Sequence, residues 1–154
     1  MAAAKLIVVN GLKFEGWMAR LIKSSGTKAT VATATTGVKP LEAEDDHDHG
    51  KKGHAHGHDH GSLDPHAWQS VANAKVYVAN IRDALAKADP DGQASYAANA
   101  TRYLAQLDAV EGEIKAAVAR IPADRRKAIT SHDAFGYFVK AYGIQFSAPQ
   151  GVST

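Results

Sequence analysis

The sequence predicts an α/β protein: two lobes with mainly parallel strands, joined by one long connecting helix. Three observations carry this. Strand, helix and strand signals follow one another between Leu6 and Thr36, and again between Ala128 and Ser147. Between them, Gln93 to Ile121 is rich in alanine, with Tyr96, Ala100, Tyr103, Leu104, Leu107, Val110, Ile114, Ala117 and Val118 at three- and four-residue steps. That spacing predicts one helix of about 28 residues, roughly 40 Å long.

Leu6-Ile7-Val8-Val9 is a continuous apolar run stopped by Asn10-Gly11. It reads as a strand buried on both faces, as in a parallel sheet. Phe14, Trp17, Met18, Leu21 and Ile22 have helical spacing up to Ser24, with Gly26 as the stop. Lys28 to Thr36 alternates and is rich in Thr and Val, which predicts the second strand. Asp64-Pro65 predicts the start of a helix, because Asp is a good N-cap and Pro suits the first helical position. Trp68 to Leu85 continues it to about Ala88, where Asp89-Pro90-Asp91-Gly92 breaks it. Ala128 to His132 predicts a short strand with a polar end. Asp133 is placed to cap a helix through Phe135, Phe138, Val139 and Tyr142, and Ile144 to Ser147 predicts a last strand. The expected divisions are 1–64, 65–121 and 122–154.

Six of the eight histidines fall in one polar, Gly-rich stretch within 44–62: His47, His49, His54, His56, His58 and His60. Imidazole nitrogen suits zinc, copper, nickel and cobalt. Histidines at alternating positions in a flexible segment close around an ion in many ways, which predicts weak, fast metal binding. The bland alternative is a solvated low-complexity loop. A purification tag fits poorly, since the run is internal and interleaved with Asp and Gly.

Composition narrows the function. A hydrophobic content of 45% predicts a packed core, and a net charge of +2 is too small to argue for nucleic acid. There is no cysteine, so thiolate zinc sites and disulfides are excluded. No apolar run approaches the roughly 18 residues of a membrane span. The first residues, Met1-Ala2-Ala3-Ala4-Lys5, lack the pattern of a secretory signal.

Two histidines lie outside the loop. His66 sits in Asp64-Pro65-His66-Ala67-Trp68, and His132 in Ser131-His132-Asp133-Ala134-Phe135 at a strand-to-helix junction. Ligands of open α/β sheets bind at the carboxyl ends of strands. A lone histidine is more often an ordinary side chain than a ligand; the pair, with a metal-rich loop ending just before His66, predicts a shared metal. Asp133 is a candidate to orient the His132 ring, or simply a helix cap.

These blocks, with Asn10-Gly11-Leu12, Phe14-Glu15-Gly16-Trp17, Gly136-Tyr137-Phe138 and Pro149-Gln150-Gly151, closely resemble the ZnuA-like zinc-binding solute-binding proteins of bacterial ABC importers. The match runs in order along essentially the whole chain. The resemblance implies two α/β lobes joined by a rigid helix, with Zn2+ held in the cleft between them. It implies a non-enzymatic protein of the periplasm that hands zinc to an ABC permease of the inner membrane, with a zinc chaperone as a further partner. It places His66 and His132 on two of the family's zinc-ligand positions. Manganese-binding relatives tend to carry Glu where His132 stands, so the resemblance favours zinc. A further ligand histidine expected before the first strand, and the second half of the C-terminal lobe, find no counterpart. The chain therefore reads as an internal portion with two partial lobes, and self-association through uncovered sheet edges is expected. Two competing functions follow from the residues: a metal buffer in which only the His-rich loop matters, and a zinc hydrolase using Asp133 or Glu15 as general base. The absence of a His-Glu-x-x-His helix weighs against the hydrolase.

Overall fold

The computed structural model describes residues 1–42 and 63–148. The His-rich run, and with it His47, His49, His54, His56, His58 and His60, lies outside the described residues, as does Gln150.

Strand β1 (Leu6–Val9) pairs in parallel with β2 (Thr30–Thr33), Leu6 opposite Thr30 and Val9 opposite Thr33. Helix α1 (Met18–Ser24) connects them. Helix α2 (Val71–Ala88) lies against this pair. Asn80 locks it there by donating its amide to the carbonyls of Ala34 and Thr36 at 2.7 and 2.8 Å. A single 3-10 turn at Pro90–Gly92 reverses the chain into α3 (Gln93–Ala119), which packs along α2. Strand β3 (Lys127–Ile129), helix α4 (Gly136–Tyr142) and β4 (Gln145–Ser147) follow, with β3 and β4 again parallel. The α/β architecture, the two parallel pairs and the long helix are as the periodicity predicts. Among the described residues no helix is long and apolar enough to cross a membrane.

The core sits where α2, α3 and α4 meet. Val71, Val118 and Tyr142 are buried together, and Leu107, Ile114, Phe138 and Ile144 pack around them. Tyr142 is the junction: its hydroxyl accepts the Val71 N–H at 3.1 Å and donates to Glu111 at 3.1 Å. It thereby satisfies a helix-start donor of α2 that no side-chain cap serves. Phe135 stacks on Phe146 at 4.5 Å, closing the β4 side of α4.

Four local expectations are corrected. Ile7 is buried but Val8 is 41% exposed, so β1 is not covered on both faces: among the described residues it pairs with β2 alone and is backed by α2 on one side. The first helix begins at Met18 rather than Phe14: residues 12–17 form turns, entered through positive φ at Leu12 and Lys13 (53° and 64°). Asp64 caps no helix; a 3-10 turn (Ala67–Gln69) and an extended Ser70 precede α2. Asp133 caps no helix either, since α4 starts at Gly136 with Phe135 as the flanking residue and no side-chain cap.

Candidate metal centre

The chain turns sharply at the carboxyl end of β1. Gly11, at φ +93°, lets Asn10 and its neighbours fold back, and the Glu15 carboxylate accepts the N–H groups of Asn10 at 2.6 Å and Gly11 at 3.2 Å. Both Glu15 oxygens are thus engaged in holding a turn. Asn10 then reaches across the fold. Its amide donates to the Pro65 carbonyl at 3.1 Å, its amide oxygen accepts the Tyr77 hydroxyl at 2.8 Å, and its backbone carbonyl accepts the Thr35 hydroxyl at 2.7 Å. This network sets the Asp64-Pro65-His66 segment beside the carboxyl end of β1.

Burial pushes the Tyr77 hydroxyl up to about 12, with Tyr137 and Glu15 nearby adding to the effect and the bond to Asn10 opposing it. The neutral form is therefore favoured in the fold. Its contribution is fully present below the ordinary tyrosine value of about 10 and is lost as pH rises towards 12. Urea midpoints measured from pH 9 upward are expected to fall less steeply in Tyr77→Phe than in the parent.

His66 is the first half of the pair. The Asp64 carboxylate accepts two bonds through one oxygen: the His66 backbone N–H at 2.9 Å and the ring Nδ1–H at 2.8 Å. This is an Asx-type turn, and it explains why Asp64 is not a helix cap. With Nδ1 donating, Nε2 is left as a lone-pair donor, the state a metal needs. Both side chains are largely shielded, 17% exposed for His66 and 11% for Asp64.

His132 is the second half. It follows β3, whose end is fixed by the Thr130 N–H donating to the Ser147 carbonyl at 2.9 Å. The Thr130 hydroxyl then donates to the His132 carbonyl at 3.0 Å, shaping the bend that turns the ring inward. The His66 and His132 ring centroids stand 5.7 Å apart at 58°. Two imidazoles sharing a tetrahedral ion at 2.0–2.1 Å place their centroids roughly 5 Å apart, close to the separation of this pair. Among the described residues no third His, Cys, Asp or Glu joins them. Asp133 is exposed and makes no bond to His132 among the described residues; the orienting carboxylate belongs to the other histidine, and it is Asp64.

The wall is aromatic. Trp68 meets the His66 ring edge-on at 5.4 Å and Phe14 at 5.4 Å. Trp68 is thus a built-in reporter. Its fluorescence is expected to change on metal addition, and the change is expected to vanish in His66→Ala.

Behind the pair, Tyr137 is 4% exposed. Its hydroxyl accepts the Leu41 N–H at 2.9 Å and donates to the Asp64 carbonyl at 3.2 Å. The Asp64 N–H in turn donates to the Leu41 carbonyl at 2.9 Å, and Glu42 bridges Leu63 in antiparallel fashion. The two ends of the His-rich segment are therefore held side by side, two residues from His66. Burial pushes the Tyr137 hydroxyl above its ordinary value, which keeps its proton in place. Sequence reasoning missed Asn10, Asp64 and Tyr137 as site residues. Only Asp64 had a usable signal, the Asp-x-His spacing of an Asx turn.

Comparison with known proteins gives the family. Residues 1–154 match the family described as zinc-uptake complex component A, periplasmic. The chain is 38% identical over 142 residues to the manganese-binding lipoprotein MntA of Halalkalibacterium halodurans, covering 92% of this chain and 42% of that protein. It is 34% identical over 143 residues to the iron-binding protein YfeA of Yersinia pestis, covering 93% of this chain and 42% of that one. The solved periplasmic zinc-binding protein TroA of Treponema pallidum superposes with a TM-score of 0.81 at 28% identity, covering 99% of this chain and 51% of that structure. The chain spans about half the length of the relatives it matches. A family match over residues 1–154, relatives of this identity and a shared fold make this chain a member of the ZnuA family of metal-binding, ABC-transporter substrate-binding proteins.

Proposed function

We propose that this chain captures Zn2+ between His66 and His132 for delivery to an ABC permease, in the periplasm, with the His-rich segment at 44–62 collecting or sensing the ion. The carrying observation is the facing imidazole pair, 5.7 Å apart, with His66 held by Asp64 so that Nε2 is free. Relatives of this family are named for manganese, iron and zinc, so the choice of ion rests on the donors. Two nitrogens suit zinc better than the oxygen-loving manganese ion. An open zinc site has about three protein ligands, so the remaining donors come from outside the described residues, beyond the His-rich run or from another chain. The clamped ends of the His-rich segment, beside Asp64, support a route from loop to pair.

The test is calorimetric titration of the whole chain and of a variant lacking Glu44–His60 with Zn2+, Mn2+ and Fe2+. One tight zinc site is expected to survive the deletion while several weak ones disappear, with zinc at least about tenfold tighter than manganese. Loss of all binding would instead make the loop a metal buffer and the rest of the chain its scaffold.

A further inference from the structure

Tyr137 and Gly136 lie on α4, the helix that follows His132, yet both act on the segment that carries His66. The Tyr137 hydroxyl binds the Asp64 carbonyl at 3.2 Å and the Leu41 N–H at 2.9 Å. Gly136 lies so close to the Asp64 carboxylate that a Cβ there would stand 2.8 Å from Oδ2. Asp64 is therefore gripped from the α4 side at its backbone and approached closely at its side chain, while its other carboxylate oxygen holds the His66 ring.

We propose that Tyr137 is a positioning residue of the metal centre, the clasp that ties the two histidine-bearing segments together at the spacing a shared ion requires. This rests on the metal reading above. The Tyr137 hydroxyl joins residues 73 and 96 positions away in the chain, and both belong to the paired stem leading into His66. Without it, α4 loses a direct polar bond to that stem, and the His66–His132 separation is left to weaker packing.

The same helix supplies the control. Tyr142 is also buried and its hydroxyl also has two partners, but these are Val71 and Glu111, away from the pair. Tyr137→Phe and Tyr142→Phe each remove one such hydroxyl, so melting temperatures are expected to fall by similar amounts. Titration with Zn2+ and the visible absorbance of bound Co2+ then separate positioning from stability. Tyr137→Phe is expected to weaken zinc binding about tenfold and alter the Co2+ spectrum, because orienting partners of metal ligands are worth 10–100-fold. Tyr142→Phe is expected to leave both unchanged. Gly136→Ala keeps the tyrosine and improves helix propensity, yet its added methyl displaces the Asp64 carboxylate and is expected to lower zinc affinity by a similar factor.

Equal affinity losses in Tyr137→Phe and Tyr142→Phe would overturn the clasp, as would wild-type affinity in both Tyr137→Phe and Gly136→Ala. His66→Ala in the same series keeps the two claims apart. If it abolishes tight binding while the clasp variants do not, the clasp fails and the metal reading stands. If it binds as the parent does, the metal reading itself fails.

Discussion

Alanine at both His66 and His132 is expected to lower zinc affinity by more than about 100-fold, since removing an orienting partner alone costs up to that much. The fold should survive. Neither ring belongs to the buried cluster around Val71, Val118 and Tyr142, and the turns that carry them keep their bonds to the backbone, His66 N–H to Asp64 and the Thr130 hydroxyl to the His132 carbonyl. Calorimetry reads the affinity and circular dichroism the fold. The single variants should each lose most of the effect, because one imidazole without its partner leaves the ion to water and to the loop. Weak binding of several further ions should persist in the double variant, since His47, His49, His54, His56, His58 and His60 are untouched. Tight binding that survives the double substitution would remove His66 and His132 from the metal centre.

Gly11→Ala is expected to be the most damaging single methyl in the described part of the chain, at about 2–5 kcal/mol. Two costs combine. The residue holds φ +93°, where a side chain is strained, and the added Cβ would stand 2.4 Å from Thr35 Oγ1 and 2.5 Å from Thr33 Cγ2. Relief requires the turn to move, which pulls Asn10 from Pro65 and Tyr77 and loosens the seat of His66. Gly112→Ala is the matched contrast. It lies inside α3 with nothing within 4 Å of the new methyl, so it should stabilise by about 0.5–1 kcal/mol. The two urea midpoints should move in opposite directions, and a Gly11→Ala midpoint at the parent value would refute the account of the turn.

Much of this was legible early because it depends on local order. The 3.6-residue recurrence from Gln93 onward needs no partner to be seen, and α3 ends at Ala119, two residues short of the expected limit. The strand–helix–strand units could be read because β-branched runs separated by an amphipathic stretch allow few alternatives. The misreadings share a cause. An Asp accepting an N–H two residues ahead is the same chemistry in a helix cap and in an Asx turn. The residues around Asp64 therefore fit both, and only its bond to the His66 ring tells them apart. Asp133 is the mirror image: adjacency to His132 allowed a contact, but Asp133 is exposed and no bond joins the two among the described residues. Val8 was expected to be covered because an apolar strand invites cover, whereas cover is supplied by other segments.

By itself, then, the amino-acid order determined which segments are helical or extended, that two histidines stand at strand and turn ends, and that six more crowd one stretch of sequence. These follow from interactions within a few residues of one another. The tertiary structure alone decided that His66 faces His132, that Asp64 orients one of them, and that Tyr137 joins their supports. The Asp64 contact is local, two positions away, but it is one of two folds the same residues allow; the others span about 66 to 96 positions, and a hydroxyl or a ring takes its partner from whatever the packing of distant segments brings near.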